Sequence, residues 1–258
     1  MRAARLLVLG WTLNLKMLSQ SAFDGFLGVL WPLFFATIAF FMYRAGRNDA
    51  SLLYASLGAS VMGVWSSTSV AASSAVQRQR RHGTLELVVA APAHFSLVML
   101  PVTVAMSTIG IYSMAATLLW GRFLFGIHIH IAHPLLFCLA VPATVLAIGM
   151  LGFLLSVTVV RYRTAWALGN MLEYPVWLVC GFLVPLSLFP GWVRPFSWAL
   201  APTWGVRAIR EAAGVSSGSA LHDVALCIGL GLGYAALGVL LTETVLHSAR
   251  RTASLALT

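Results

Sequence analysis

Residues 134–160 read PLLFCLAVPATVLAIGMLGFLLSVTVV, a stretch without a single charged side chain. A helix crosses the bilayer's hydrocarbon core with roughly 20 apolar residues, because that core is about 30 Å thick and each residue rises about 1.5 Å. This run is long enough to cross, and Arg161-Tyr162-Arg163 closes it with basic charge. Comparable runs recur on both sides of it. Spans are expected at Phe23–Tyr43, Ser51–Val76, Ser96–Trp120, Ala165–Phe189 and Asp223–Leu246. The 258 residues therefore read as a single all-α membrane domain, 1–258, with six transmembrane helices.

Composition supports that reading. Hydrophobic residues make up 60% of the chain and charged residues only 9%, with a mean hydropathy of +0.89. Soluble domains carry about 25% charged residues. So few charges cannot solvate a surface around such an apolar interior. A cytosolic enzyme, a disordered chain and a disulfide scaffold are excluded. Cys138, Cys180 and Cys227 all fall inside apolar runs, without a CxxC pair, and read as small packing residues.

The net charge is +9, from 16 Lys and Arg against 7 Asp and Glu. A basic excess can signal nucleic acid, but here the basic groups are scattered through short loops, so no nucleic-acid partner is expected. They fix topology instead, since basic residues concentrate in cytoplasmic loops. With the N-terminus inside, Arg2, Arg5, Lys16, Arg78, Arg80, Arg81, Arg161, Arg163, Arg250 and Arg251 are cytoplasmic. Arg44, Arg47, Arg122, Arg194, Arg207 and Arg210 are left outside. Both termini are thus expected in the cytoplasm of a multi-pass protein of the cell membrane, in a bacterium.

The segments between spans carry most of the remaining information. Residues 1–20 form an amphipathic stretch, with Leu6, Leu9, Leu13 and Met17 on one face and Arg5, Thr12, Lys16 and Ser19 on another. Polar residues interrupt the continuous apolar core that a cleaved signal peptide needs. An interfacial helix on the cytoplasmic leaflet is expected. Ser51–Val76 is rich in Ser, Gly and Ala, which let helix backbones approach, so this helix is expected inside the bundle. Gly229, Gly231 and Gly233 suggest a further close helix contact. The segment 190–222, with Pro190, Pro195, Pro202, Trp192, Trp198 and Trp204, has apolar stretches too short to span. It reads as short extracytoplasmic re-entrant or interfacial helices.

Catalytic constellations are lacking. The acidic residues are isolated, and neither HExxH nor GxSxG occurs. The sole lysine, Lys16, has no glycine-rich loop beside it, so the chain has no phosphate-binding P-loop. Any ATP hydrolysis that drives it belongs to another polypeptide. His128, His130 and His133 are the only ligand-like cluster. In an extended backbone His128 and His130 point the same way, as a chelate would, but no acid or cysteine stands near. The run is expected to be a polar loop, and no metal is assigned. Glu173 is the most telling single ionisable residue, a carboxylate near the start of a span, where such a charge is expensive. Two roles stay open for it: pairing with an arginine near the cytoplasmic interface, or a part in the transport pathway.

The densest charge cluster is Gln77–Glu86, followed by an apolar piece and Pro92. A topology anchor needs only Arg78, Arg80 and Arg81, which leaves the amphipathic piece and its proline unaccounted for. The string Arg80-Arg-His-Gly-Thr-Leu-Glu-Leu-Val-Val-Ala-Ala-Pro92 resembles the signature of ABC-2-type transporter permeases, a run close to Glu-Arg-Glu-x-Gly-Thr-Leu-Glu with a later proline. Arg80, Gly83, Thr84, Leu85, Glu86 and Pro92 match, whereas Gln79 and Arg81 stand where the family often has acids. Cys180–Pro185 and Phe189–Trp192, with Gly181, Pro185, Pro190 and Trp192, resemble the family's Gly…Pro…Pro stretch before its last span.

The resemblance implies the membrane subunit of an ATP-binding-cassette exporter. It implies that the segment 77–92 forms a coupling helix seated on a separate nucleotide-binding ATPase subunit, with Glu86 in the contact. It further implies a second permease subunit, identical or related, beside this one in the lipid bilayer. ATP and Mg would be bound by the partner, with no cofactor bound here directly. Gly181, Pro185, Pro190 and Trp192 become candidates for the extracytoplasmic gate. The cargo would be hydrophobic or amphipathic: drug- or antibiotic-like, lipid or lipid-linked. The alternatives are a secondary transporter, which often shows inverted repeats and midplane charges not visible here, or a membrane protein without transport activity.

Overall fold

The computed structural model describes residues 2–19, 22–44, 49–81, 95–161 and 165–252. Every regular element among them is helical. They are α1 (Arg2–Ser19), α2 (Ala22–Arg44), α3 (Asp49–Arg81), α4 (Phe95–Phe125), α5 (Pro134–Arg161), α6 (Ala165–Val179), α7 (Arg194–Trp198), α8 (Ala201–Ala212) and α9 (Ala220–Thr252). Two 3₁₀ turns, Leu186–Leu188 and Gly191–Val193, lie between α6 and α7.

Within the described residues, three stretches are long and apolar enough to cross a membrane: Val98–Phe125 in α4, Pro134–Val157 in α5 and Ala220–Thr244 in α9. The latter two leave large apolar side chains facing outward, such as Leu135, Leu139 and Leu146 on α5 and Leu232, Leu237 and Leu240 on α9. In water such faces would aggregate, whereas hydrocarbon solvates them. All six stretches where spans are expected begin as helix. The fifth departs from expectation, because α6 stops at Val179 and the chain is not α-helical through Phe189.

Helix α3 is the centre of the bundle, packing against α2, α4, α5, α6 and α8. Its residues from Leu52 to Trp65 are buried almost continuously, including Ala55, Leu57, Ala59, Val61 and Met62. This is the interior position that its small residues predict. Its buried hydroxyls turn back on their own helix, Ser56 to the Leu53 carbonyl at 2.9 Å and Ser60 to Leu57 at 2.7 Å. No buried polar group is therefore left open at these positions. Trp120 of α4 donates to the Thr37 hydroxyl of α2 at 2.9 Å, and Phe40 meets Phe125 edge-on at 5.0 Å.

Helix α1 packs on α4. The Trp11 indole donates to Thr108 at 3.2 Å, while Leu6, Leu9, Leu13 and Met17 stay exposed. Of Gly229, Gly231 and Gly233 on α9, only Gly231 makes a close approach, to Ala147 of α5, while Gly238 further along lies against Phe153. Gly229 and Gly233, the pair with the four-residue spacing, meet nothing, so the expected packing seam is narrower than the glycine pattern suggested.

Candidate functional site

The break after α6 organises the site. Gly181 adopts φ of +71°, a left-handed conformation that side chains with a Cβ rarely accept. Its N–H donates to the Leu178 carbonyl at 3.0 Å, and the Phe182 N–H donates to Trp177 at 3.1 Å. This paired pattern ends a helix by a left-handed glycine. Pro185 then follows, half-buried, and its carbonyl accepts from Leu188 at 3.1 Å in the first 3₁₀ turn.

A helix end leaves carbonyls without intrahelical partners. Here they are taken by side chains from elsewhere in the bundle. Arg210 of α8, 2% exposed, donates from Nη1 to the Gly181 carbonyl at 2.9 Å and from Nη2 to the Phe182 carbonyl at 2.5 Å. It also donates from Nε at 3.3 Å and Nη2 at 3.2 Å to the Tyr54 carbonyl of α3. Its guanidinium lies 3.4 Å from the centre of the Tyr54 ring. Tyr43 of α2 donates to the Leu183 carbonyl at 2.5 Å, and Ser197 of α7 to the Val179 carbonyl at 2.6 Å. One arginine thus joins α8, α3 and the chain reversal after α6.

No described carboxylate pairs with Arg210. Its counter-charge is distributed over backbone carbonyls at the negative end of α6 and over the Tyr54 π-face. Burial lowers its pKa to about 10, with Tyr54 and Tyr43 acting against the fall, so it remains a cation at neutral pH. Planar geometry matters here: three separate nitrogens reach the three carbonyls while the flat group lies over the Tyr54 ring, an arrangement that a single ammonium nitrogen does not reproduce.

Space for this clamp is made by Gly58 of α3. A Cβ at Gly58 would sit 1.6 Å from the Phe182 carbonyl oxygen and 2.4 Å from Arg210 Nη2. Around the same helix, Arg207 lies 3.1 Å from Asp223 at the start of α9 and 4.9 Å from the centre of the Trp204 ring. The Tyr234 hydroxyl of α9 donates to the Ala199 carbonyl and accepts from the Ala201 N–H at 3.1 Å. Helix α8 is therefore held on two sides, by Arg210 toward α3 and α6 and by Arg207 and Tyr234 toward α9.

The residues expected from the sequence fall in different places. Gly181 joins the Arg210 network directly. Pro190 and Trp192 are exposed and outside it. Arg80 lies in the last turn of α3, whereas Gly83, Thr84, Leu85, Glu86 and Pro92 lie outside the described residues. The coupling segment 77–92 is thus helical through residue 81 and is not described beyond it. Glu173 is half-buried on α6 and within hydrogen-bonding reach of Ser66 on α3. His128, His130 and His133 sit exposed in the loop after α4, and among the described residues no group of His, Cys, Asp and Glu gathers as a metal site.

Arg210, Tyr54, Tyr43 and Gly58 were not singled out in the sequence. A usable signal was present. Arg210 is flanked by Ala208, Ile209, Ala212 and Ala213, with Glu211 and Arg207 the only charged residues within one helical turn. A charged residue in such company needs a buried partner.

The family model described as ABC-2 type transporter matches residues 4–213. The chain belongs to the ABC-2 type transporter family. The matched region runs from α1 through the end of α8 and so includes Tyr54, Gly181 and Arg210. Membership implies a membrane setting and a partner ATPase subunit, and it agrees with a transport role for this chain. No curated protein matches the sequence.

Proposed function

We propose that this chain is the membrane subunit of an ATP-driven exporter. It would cross the membrane six times, through the cores of α2 to α6 and α9, with both termini cytoplasmic. The family match over residues 4–213 carries this reading, and the Arg80–Pro92 string supports it. Arg80, Gly83, Thr84, Leu85, Glu86 and Pro92 would form the contact with a separate nucleotide-binding subunit, which supplies ATP and Mg. A second permease copy, identical or related, would complete the pathway. The cargo is hydrophobic or amphipathic, of drug-like, lipid or lipid-linked type, because a path between apolar helices selects against strongly hydrated solutes.

The broken end of α6, held by Arg210 against α3, would serve as the extracytoplasmic closure of the pathway. Transmission then needs an element with two discrete arrangements. Helix α8 with its two anchor sets suits that role.

The test is co-purification of the chain with a candidate P-loop ATPase subunit. Replacing Glu86 and Thr84 by alanine is expected to weaken association by about 2 kcal/mol, roughly thirty-fold, as for an interface hot spot. ATPase activity should lose its coupling to transport. Unchanged association and transport would overturn the coupling assignment.

A further inference from the structure

We propose that Glu211 and Asp223 together form a proton-binding site that joins α8 to α9. Glu211 is in the last turn of α8 and Asp223 in the first turn of α9. Their side chains are 4% and 2% exposed. The two carboxyl groups lie within hydrogen-bonding reach of each other. They share Arg207, whose Nε is 3.1 Å from Asp223 Oδ2 and whose Nη2 is 3.9 Å from Glu211 Oε1. Yet Glu211 Oε2 has no hydrogen-bond partner, and Asp223 Oδ2 has only its ion contact with Arg207.

Two buried anions on one cation leave a negative charge unbalanced. Like charges this close do not both ionise in a poorly solvated site. A single proton removes the excess charge. It also turns a partnerless oxygen into a donor, with the neighbouring carboxylate as acceptor.

The surroundings offer little else. On α8, Arg210 spends its N–H groups on Gly181, Phe182 and Tyr54. On α9, the His222 ring nitrogen lies 3.3 Å from Asp223 Oδ1 with the ring exposed, and the Cys227 thiol contacts the Ala143 carbonyl at 4.0 Å. From α5, Thr144 packs at Gly205, and just before that helix the His133 backbone N–H donates to the Ala212 carbonyl at 2.9 Å. From α3, Tyr54 stacks on Arg210. Arg207 and His222 are the described cationic groups that face the pair.

Burial first, and then the charge of Asp223, raise the Glu211 pKa above the ordinary carboxylate range. A raised folded-state value means that the α8–α9 contact is at full strength at low pH. It weakens as pH rises from the ordinary carboxylate value through the raised one. Proton binding at this junction stands without the transport reading. Its effect on export rests on the proposed function, because α8 also carries Arg210.

Infrared spectroscopy of the full chain in lipid nanodiscs tests the site, and only seven acidic residues contribute. A protonated-carboxyl band is expected at neutral pH, fading as pH rises. Glu211→Gln should abolish it. Asp223→Asn should weaken it at neutral pH, because Glu211 then faces Arg207 without a competing anion while its burial remains. The thermal midpoint of the native chain should fall with rising pH, while that of Glu211→Gln should not follow. A neutral-pH spectrum that neither substitution changes would overturn the proposal. An altered band with unaltered export would instead count against the transport role given to α8.

Discussion

Arg210→Ala is expected to lower stability by roughly 3–5 kcal/mol, the range seen when one member of a buried charged network is removed. The substitution leaves the carbonyls of Gly181, Phe182 and Tyr54 without the donors that reach them. It also uncovers the Tyr54 ring. Chemical denaturation in micelles measures the loss. Hydrogen exchange should place it at residues 180–184 and in α8, with α4 and α5 near native protection. Arg210→Lys should recover part of the stability but not the protection at both Gly181 and Phe182, since one ammonium group cannot reproduce the fork. Uniform loss of protection across the bundle would show that Arg210 is a general core residue and not a local clamp.

Gly58→Ala is the second large effect, expected to cost about 3 kcal/mol or more, at the upper end for overpacking. The new methyl would overlap the Phe182 carbonyl oxygen, which is backbone and cannot swing aside as a flexible side chain does. Relief requires α3 to separate from the reversal after α6, and that separation stretches the Arg210 bonds. The two lesions therefore act on one structure. A double-mutant cycle should give a combined loss well short of the sum, because residues in one network are not additive. Additive losses would mean that Gly58 is needed for reasons unconnected with Arg210.

The sequence and the structure agree where a single physical signal dominates. The charge-free run at 134–160 needs only length and apolarity to be read, and α5 occupies it. The interior position of α3 is legible because its Ser, Ala and Gly content permits close approach on every side. Span five fails at its outer end for a different reason. Cys180–Phe182 is as apolar as the helix before it, and only Gly181 with Pro185 marks the stop. The Arg210 site was hidden because its partners are backbone carbonyls. Carbonyls leave no trace in residue identity, and Tyr54 and Gly181 are far apart in the chain. The carboxyl pair was hidden similarly, since Glu211 and Asp223 meet only when α8 and α9 fold together. The string at Arg80–Pro92 is the opposite case, read from its resemblance alone and largely outside the described residues.

Helix α3 runs unbroken from Asp49 to Arg81. Tyr54 near one end is the surface on which Arg210 rests, and Arg81 at the other lies within the Arg80–Pro92 string. At about 1.5 Å per residue the two points are about 40 Å apart along a single rod. No hinge interrupts it between them. A push of a few ångströms at the Arg81 end therefore arrives at Tyr54 as a displacement of the same order rather than being absorbed on the way. The arginine contact, whose bonds tolerate only tenths of an ångström, becomes the part of the molecule that must yield first.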